Sequence, residues 1–351
     1  MSNNLNQLFF LGRPLSPLYG LAMKVRENFY TRGLFLRHSL PVPVISVGNL
    51  VLGGTGKTPT VRYLGEFLQA HGYHPAIISR GYHGKAKGSV NIVSDAGGIL
   101  LGPGQAGDEP YMLARSLPGI PVLTGKRRIR PSRWAVEKLH ADILILDDGF
   151  QHLAVKRDID LVLFEGSVLA GNSRIFPGGV LREPISALHR CNAFLLTGIT
   201  DQNRQKAELF GKLLQNHFTD KPVFYSSIGR YELKNPRDAA VAEISVPENK
   251  FFFGFCGIAN PARFEESLKS LKIQLAGFMA LSDHVDYNQS LVDDICARAR
   301  AASATHLVTT EKDYVKIERL KVSLPLELLE IRARLERVFD KFILESLRSR
   351  S

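Results

Sequence analysis

The sequence predicts an α/β protein with a doubly wound, mostly parallel sheet and a second, smaller α/β domain. From Pro41 onward, short β-branched segments alternate with helix-like segments, which is the order of a parallel sheet covered by helices on both faces. Asp142–Leu146 is almost wholly apolar, as expected for a strand at the buried centre of such a sheet. The alternation resumes at Ile159, and the length of 351 residues also favours two domains.

The first α/β series begins with a strand that leads into a glycine-rich loop and then a helix. That helix stops at His71-Gly72, and a Gly/Lys-rich loop covers residues 81–104 after the second strand. Asp108 is placed to cap a further helix, with Pro110 inside its first turn. The other predicted segments are the strands Val42–Val47, Ala76–Ser79, Pro121–Thr124 and Asp142–Leu146, and the helices Lys57–Ala70 and Arg133–His140.

The second series repeats the alternation and ends in a charged helical tail. Its predicted strands are Ile159–Phe164, Ala193–Thr197, Val223–Ser226, Phe251–Cys256, His306–Thr309 and Leu326–Ile331, and its helices are Asp201–Asn216, Pro261–Leu271 and Leu335–Leu347. We predict that the chain divides into an N-terminal membrane-associating helical segment (1–40), a first domain (41–152) and a second domain (158–325). Connecting strands are predicted at 153–157 and 326–332, and the tail 333–351 is predicted to rejoin the first domain.

Composition restricts the partners and the compartment. The formal net charge of +11 favours anionic partners such as phosphorylated substrates, nucleic acid or an acidic membrane surface, although a generally basic soluble protein has the same charge. No aromatic-and-basic RNA motif or recognition-helix module is evident, so we expect no nucleic-acid partner, and no protein partner is evident either. Cys191, Cys256 and Cys296 form no CxxC pair, which predicts neither a disulfide framework nor a zinc site and suits a reducing cytoplasm.

The N-terminal segment is apolar and basic without the pattern of a spanning helix. The run Leu8–Leu11 is interrupted by Arg13 and two prolines, well short of the ~18 residues that a spanning helix needs, and the order of a signal peptide is missing. From Leu15 to Leu40, Leu, Tyr, Phe and Met are mixed with Lys and Arg. This mixture is typical of a helix lying on a membrane surface and also of an amphipathic helix packed on the protein's own core.

The loop after the first strand predicts a nucleotide site. Gly53-Gly54-Thr55-Gly56-Lys57-Thr58 lies between a strand and a helix, where glycine amides and the helix N-terminus can surround phosphate oxygens. Lys57 can then reach the β- and γ-phosphates of ATP, and the Thr58 hydroxyl can ligate Mg²⁺. Val51 replaces the first glycine of the strict P-loop pattern, so the loop resembles the variant of the partition-ATPase group, which usually has a lysine where Leu52 stands.

Asp147 and Asp148 follow the apolar strand Ile143–Leu146. A carboxylate at the carboxyl end of a central parallel strand lies beside the phosphate-binding loop, where it can hold Mg²⁺ directly or through water. Adjacent aspartates point in different directions, so we expect one of the two to touch the ion. Read alone, the pair is equally consistent with a cap on the turn before Gly149.

Several further segments give the chain a resemblance to a known family. Asp147-Asp148-Gly149-Phe150-Gln151-His152 after a P-loop is specific, and it occurs here with four shorter segments. Together they resemble the tetraacyldisaccharide 4′-kinase family of lipid A biosynthesis, from the N-terminal segment to about Lys316. The shorter segments are Gly107-Asp108-Glu109-Pro110, Leu181-Arg182-Glu183-Pro184, Ser282-Asp283-His284 and Thr310-Glu311-Lys312-Asp313.

The resemblance implies a reaction and a place. ATP, with Mg²⁺, would phosphorylate the 4′-hydroxyl of a membrane-embedded disaccharide 1-phosphate, giving the 1,4′-bisphosphate and ADP, in a cleft between two α/β domains. The N-terminal segment would touch the cytoplasmic face of the bacterial inner membrane, as a peripheral or monotopic contact. The family's aspartate–histidine pair matches Asp108 and His284 here. A carboxylate can accept the proton of a sugar hydroxyl, and a histidine bonded to it would orient it.

Other polar residues near these motifs are candidates for substrate contacts. Arginine suits phosphate because its guanidinium presents a fork of donors. Glu109 is either a second metal ligand or a solvent-facing residue, and each arginine has the alternative of a solvated surface charge. The candidates are Arg80, Arg128, Gln151, His152 and Arg182.

Two other classes of function compete with a lipid-sugar kinase. The variant P-loop also permits a nucleotide-switched ATPase of the partition or metal-insertion type, although Leu52 replaces the lysine that such dimers use on the partner's nucleotide. The net charge motivates a nucleic-acid-binding ATPase. The three functions differ in the molecule that ATP turnover depends on: the lipid-linked disaccharide, a protein partner or a nucleic acid.

Overall fold

The computed structural model describes residues 3–234, 250–283 and 285–349. Thirteen strands in this part of the chain belong to one sheet. They are β1 (Val44–Asn49), β2 (Pro75–Ser79), β3 (Asn91–Asp95), β4 (Gly98–Ile99), β5 (Val122–Thr124), β6 (Ile143–Asp147), β7 (Ile159–Glu165), β8 (Ala193–Ile199), β9 (Val223–Lys234), β10 (Phe252–Cys256), β11 (Leu275–Ala280), β12 (His306–Thr310) and β13 (Leu326–Leu335).

Helices separate most of these strands along the chain. Short 3₁₀ helices, Arg13–Leu15 and Ile185–Arg190, occur as well. The α-helices are α1 (Asn3–Gly12), α2 (Ser16–Thr31), α3 (Lys57–Ala70), α4 (Pro103–Ala106), α5 (Asp108–Ser116), α6 (Ile129–Leu139), α7 (Arg204–His217), α8 (Pro261–Ser270), α9 (Gln289–Ala301), α10 (Glu311–Ile317) and α11 (Arg337–Arg348).

The sheet has two parallel blocks joined by one long antiparallel pair. The strand order is β11-β10-β12-β13-β9-β8-β7-β1-β6-β2-β5-β3-β4. Neighbours run parallel from β9 to β5 and again from β11 to β13, whereas β9 and β13 run antiparallel to each other. The predicted fold class, a mostly parallel sheet with helices, is confirmed. Every residue of β1, β6 and β7 is buried, because these strands form the centre of the sheet.

The strongly patterned elements were predicted to within a few residues, and several others were missed. α3 has the predicted bounds, and β2, β8 and β10 shift by one or two residues at an end. The loop predicted at 81–104 contains β3 and β4, and β11, α9 and α10 were not predicted at all. The connecting strand predicted at 153–157 is wrong. Only Val155 makes an isolated bridge there, to His38, because Arg157 donates to the carbonyl oxygens of His152 and Val155 and closes the segment into turns.

The predicted boundary near residue 155 falls inside the sheet. β7, the first strand of the predicted second domain, pairs with β1 in parallel. One buried apolar cluster joins Leu50 and Phe150 to side chains of β7 and β8, whereas two other clusters, around β10 and β12, draw their buried residues from positions 252–329. The division into two domains therefore stays a prediction, and the sheet does not break where the sequence suggests a boundary.

The C-terminal helix α11 packs on the helix that follows the glycine loop. Phe339, Ile343 and Leu347 lie four residues apart on one face of α11 and are buried in the same apolar cluster as Val61 and Leu64 of α3. The Phe339 ring also lies 5.3 Å from the ring of Phe224 on β9. This packing places α11 against part of α3.

The N-terminal helices present an exposed apolar surface. Leu11, Leu18 and Leu21 are 74%, 67% and 58% exposed, and further leucines and phenylalanines of α1 and α2 are exposed beside them. Of the helices in the described ranges, none combines the length and apolarity needed to cross a bilayer. One face of α2 nevertheless packs on the protein, since Gly20 is buried and the Tyr19 hydroxyl donates to the carbonyl oxygen of Arg182.

The packing of α11 predicts a stability difference between two neighbouring residues. Phe339→Ala should lower the free energy of unfolding by about 3–5 kcal/mol, because it removes a fully buried ring and leaves a cavity beside α3. Val338→Ala, at a residue 58% exposed, should change it by less than about 0.5 kcal/mol. Urea unfolding of both variants measures the difference. Equal losses would mean that α11 does not pack through this face.

Candidate active site

The glycine loop lies between buried β1 and helix α3 and is held from two sides. Leu52 donates its N–H to the carbonyl oxygen of Val180, and the Thr197 hydroxyl on β8 donates to the carbonyl oxygen of Thr55. Gly53 and Gly56 have φ of 115° and 71°, a region that residues with a Cβ rarely enter. These contacts fix the backbone at the N-terminus of α3, where free N–H groups and the helix dipole attract anions.

Lys57, the first residue of α3, points back over this loop. Its Nζ lies 3.2 Å from Asn49 Oδ1 at the end of β1 and 3.4 Å from Asp148 Oδ1 after β6. The ammonium group is thus fixed at the carboxyl ends of two neighbouring strands, at the edge where parallel sheets bind ligands. Asn49 was not among the predicted site residues.

The two adjacent aspartates have opposite environments, as their predicted divergence requires. Asp147 is buried at the end of β6 and accepts a hydrogen bond of 3.0 Å from the Ser79 hydroxyl on β2. Burial, and then the negative charges of Glu109 and Asp148, raise the pKa of Asp147 to about 6. Lys57 and the Ser79 hydroxyl act in the opposite direction and offset these effects only in part.

Asp148 turns away from Asp147 and pairs with cations. It has a left-handed φ of 50°, and both its oxygens lie 2.9 Å from Arg182 Nη1. Burial opposes its charge, but Lys57 and then Arg182 outweigh burial and lower the pKa of Asp148. Asp148 is thus ionised and balanced, in contrast to its neighbour.

Arg128 supports the aspartate turn from inside the protein. Its buried guanidinium donates from Nη2 to the backbone carbonyl oxygens of Asp147 and Asp148, each at 3.0 Å. The predicted role of Arg128 in substrate phosphate contacts stays a prediction. In the structure, Arg128 stabilises the turn at the end of β6, because its guanidinium binds two backbone carbonyl groups there.

Gln151 and His152 continue the same turn. The Gln151 amide donates to the carbonyl oxygen of Asn49 at 2.9 Å, and Arg26 of α2 donates to the carbonyl oxygen of Gln151. Burial, and then the charges of nearby arginines (Arg128 and Arg157 foremost), lower the pKa of His152 to about 3, so its imidazole is neutral at physiological pH. Arg80, also predicted for the substrate, is exposed with its guanidinium 5.9 Å from the Tyr82 ring centroid.

Asp108 opens α5 but does not cap it. The N-cap residue is Gly107, with no side-chain cap, so the alternative in which Asp108 is only a cap is wrong. Instead, Asp108 Oδ2 lies 3.5 Å from Lys316 Nζ on α10. Its predicted partner, His284, lies outside the described residues.

Helix α10 holds the segments on both sides of position 284. Lys312 Nζ lies 3.2 Å from Asp283 Oδ1, and Lys316 Nζ donates to the carbonyl oxygen of Val285 at 3.1 Å. Lys312 and Lys316 are four residues apart, so they share one face of the helix. Lys316 was missed from the sequence. Its spacing of four residues from Lys312 could have indicated that the two lysines lie on the same side of a helix.

These features define the class of protein. A glycine loop between a central parallel strand and a helix, a lysine at the first helical residue and an aspartate at the end of the neighbouring strand form the phosphate-binding arrangement of P-loop proteins.

The particular family follows from comparison with known proteins. The sequence model of the family described as Tetraacyldisaccharide-1-P 4′-kinase matches residues 8–348. A tetraacyldisaccharide 4′-kinase of Desulfotalea psychrophila is 47% identical over 97% of both chains, and one of Syntrophus aciditrophicus is 39% identical over 95% of this chain and 91% of its own. The chain belongs to the tetraacyldisaccharide-1-P 4′-kinase family.

A solved structure agrees with this assignment. The crystal structure of LpxK from Aquifex aeolicus in complex with ATP superposes with a TM-score of 0.77 at 32% identity, covering 95% of this chain and 98% of that one. The fold is therefore shared along almost the whole length. The resemblance to this family predicted from the sequence is confirmed.

The raised pKa of Asp147 predicts a pH-dependent stability. The pKa in the unfolded chain is near 3.8, so the folded protein holds this proton more tightly, and its stability should fall as the pH rises from about 4 through about 6. Asp147→Asn should remove up to about 3 kcal/mol of that fall in magnesium-free buffer. Urea unfolding at pH 4.5 and pH 7.5 measures it.

The neighbouring residue supplies the control. The pKa of Asp148 is lowered, so its contribution to stability is complete above its ordinary value of 3.8 and is lost only as the pH falls below that value. Between pH 4.5 and pH 7.5, Asp148→Asn should therefore keep a fall in stability, reduced only because the Asp148 charge that helps to raise the pKa of Asp147 is gone. Identical pH profiles for the wild type and Asp147→Asn would contradict the assignment.

Proposed function

We propose that this chain transfers the γ-phosphoryl group of ATP to the 4′-hydroxyl of a tetraacyldisaccharide 1-phosphate, giving the 1,4′-bisphosphate and ADP. The observation that carries the proposal is the position of Lys57, whose ammonium lies 3.4 Å from Asp148 at the N-terminus of α3, in a chain that matches the kinase family over residues 8–348. The bound ATP in the Aquifex aeolicus structure supports ATP as the donor.

The phosphates bind at the glycine loop. Backbone N–H groups of Gly53–Thr58 surround the phosphate oxygens, and Lys57 contacts the β- and γ-phosphates. Asn49 and Asp148 hold the Lys57 ammonium in place at the N-terminus of α3. Arg182 Nη1 contacts both oxygens of Asp148, so this carboxylate keeps a cationic partner when Lys57 contacts the phosphates.

Asp147 and Thr58 are the residues that would hold Mg²⁺. The Asp147 carboxyl has a pKa raised to about 6 and faces the charges of Glu109 and Asp148, an environment that suits a divalent cation and penalises a bare carboxylate. Asp148 is less suited, since Lys57 and Arg182 already neutralise it. The chemistry that Mg²⁺ supplies when bound is neutralisation of charge on the transferred phosphoryl group.

Asp108 accepts the proton of the attacking hydroxyl. It opens α5 with its Oδ2 3.5 Å from Lys316 Nζ, which orients the carboxylate for this role. His284 completes the pair by orienting Asp108. Helix α10 contacts the residues on either side of His284 in sequence, Asp283 and Val285. Arg80, Arg128, Arg182, Gln151 and neutral His152 are the proposed contacts for the substrate's sugar and phosphate.

The acceptor reaches this site from a membrane surface. The exposed leucines and phenylalanines of α1 and α2 enter the lipid interface, with the basic residues of the same segment near lipid phosphates. The proposed location is the cytoplasmic face of the bacterial inner membrane, where the protein is peripheral.

A product assay tests the reaction. The purified protein, with labelled ATP, Mg²⁺ and the disaccharide 1-phosphate, should form a labelled bisphosphate, and ADP should appear only with the acceptor. Lys57→Ala should lower turnover at least about 100-fold without unfolding the protein, because the phosphate contact is lost. ATP hydrolysis that ignores the lipid and responds to a protein partner would instead support a nucleotide-switched ATPase.

Asp108→Ala separates catalysis from nucleotide binding. The variant should lose about 10²–10⁴-fold in kcat while the KM for ATP changes only a few-fold, because a proton acceptor acts mainly in the transition state. Asp294→Ala, at an exposed carboxylate paired with Arg298, is the matched control and should retain wild-type kinetics. A change confined to the KM for ATP would assign Asp108 to binding.

A further inference from the structure

A buried arginine on α3 joins elements from both parallel blocks of the sheet. Arg62 is 6% exposed and follows Lys57 by five residues, which is about 7.5 Å along the same helix. Its Nε lies 3.3 Å from Glu66 Oε1, and its Nη1 contacts Glu330 of β13 and lies 3.5 Å from Glu311 Oε1. Glu311 is the first residue of α10. One guanidinium therefore connects α3, β13 and α10.

A second arginine, on β13, contacts two of the same carboxylates. Arg332 Nη1 lies 3.0 and 3.1 Å from the two oxygens of Glu66, and Arg332 Nη2 lies 3.4 Å from Glu330 Oε1. Glu330 is 3% exposed, so charges that are largely withdrawn from water join α3 to β13. Such buried pairs are often no more stabilising than apolar side chains of similar volume, because burial removes the hydration of both charges. The network is therefore better explained by the geometry that it fixes than by stability.

Helix α10 carries that geometry to the candidate active site. Lys316 follows Glu311 by five residues on this helix, and its Nζ lies 3.5 Å from Asp108 Oδ2. Lys312, the residue after Glu311, has its Nζ 3.2 Å from Asp283 Oδ1. A shift or rotation of α10 would move both lysines together, because they belong to one helix. The contact of Glu311 with α3 therefore bears on the cation beside Asp108.

We propose that Arg62 and Glu311 are positioning residues for the carboxylate that accepts the proton of the attacking hydroxyl. Arg62 sets the position of α10 through Glu311. Helix α10 then places Lys316 against Asp108. In this way the helix that opens with the phosphate-binding lysine and the proton acceptor are held in one arrangement. The inference rests on the proposed kinase function and extends the site beyond the glycine loop and the aspartate turn.

The test uses Glu311→Gln in the full chain. Arg62 is left intact, because its loss would also remove a contact of buried Glu330 and destabilise the protein. Since a misplacement of about 1 Å can cost about 10²-fold in rate, kcat should fall about 10- to 100-fold while the KM for ATP changes less than about twofold. Steady-state kinetics with the disaccharide 1-phosphate measure both constants. An unchanged kcat would overturn the proposal.

A double-mutant cycle shows whether the effect passes through Lys316. Lys316→Met alone should lower kcat, because Asp108 loses the contact that orients it. If Glu311 acts by placing Lys316, then Glu311→Gln should lower kcat by less than about twofold further in this background. Losses that multiply in the double variant would mean that the two residues act independently, and the proposal would fail.

Glu327→Gln is the matched control for a general loss of stability. Glu327 lies on β13 three residues before Glu330, is largely buried, and has its Oε1 2.6 Å from Lys250 Nζ. The variant breaks a comparable ion pair that involves neither α3 nor α10, so it should keep the wild-type kcat. A loss in this control as large as that in Glu311→Gln would count against the proposal, because destabilisation would explain both.

Hydrogen exchange separates this inference from the proposed reaction. In Glu311→Gln, the backbone amides of α10 and of the first turn of α5 should exchange faster than in the wild type, because α10 has lost its contact with α3. A wild type without kinase activity would refute the proposed function, and the exchange rates would then decide the positioning role alone. Equal rates in the two proteins would refute that role.

Discussion

The carboxylate of Asp148 meets two cations that come from distant parts of the chain. Lys57 opens α3 after the glycine loop, and Arg182 closes the segment that also holds that loop through Val180. Because these side chains are partly exposed, the ion pairs add little to the free energy of unfolding. Their effect is positional: the Asp148 carboxylate contacts Lys57 and Arg182, so the lysine, the glycine loop and the end of β6 are held in one arrangement.

The division of labour between the two aspartates follows from this arrangement. Asp148 has a left-handed backbone and turns toward the cations, which leaves Asp147 buried against Ser79 with negative neighbours. Arg128 makes the turn possible because it satisfies the carbonyl groups of both residues. Two identical side chains thus acquire pKa values shifted in opposite directions from a single backbone turn.

The sequence predicted what depends on local patterns. The strand–loop–helix around Gly53–Lys57 and the apolar strand before Asp147 have periodicity and glycine placement that can be read within a few residues. Contacts between distant positions were not predictable in this way. The hydroxyl of Ser79 meets Asp147 across 68 residues, and Lys316 reaches Asp108 only because α10 packs on α5. The prediction that Asp108 caps α5 was also wrong. The N-cap residue is Gly107, which has a φ of 92°.

The packing of α11 on α3 has a consequence for how the protein is made. The ribosome releases α3 long before α11, so Tyr63 of α3 lacks its contacts with Phe339 and Asp340 during most of translation. Domains form from the N-terminus during synthesis, and exposed apolar faces on unfinished chains are points of aggregation. Part of the helix that begins with Lys57 is therefore covered only when the last residues of α11 have been made.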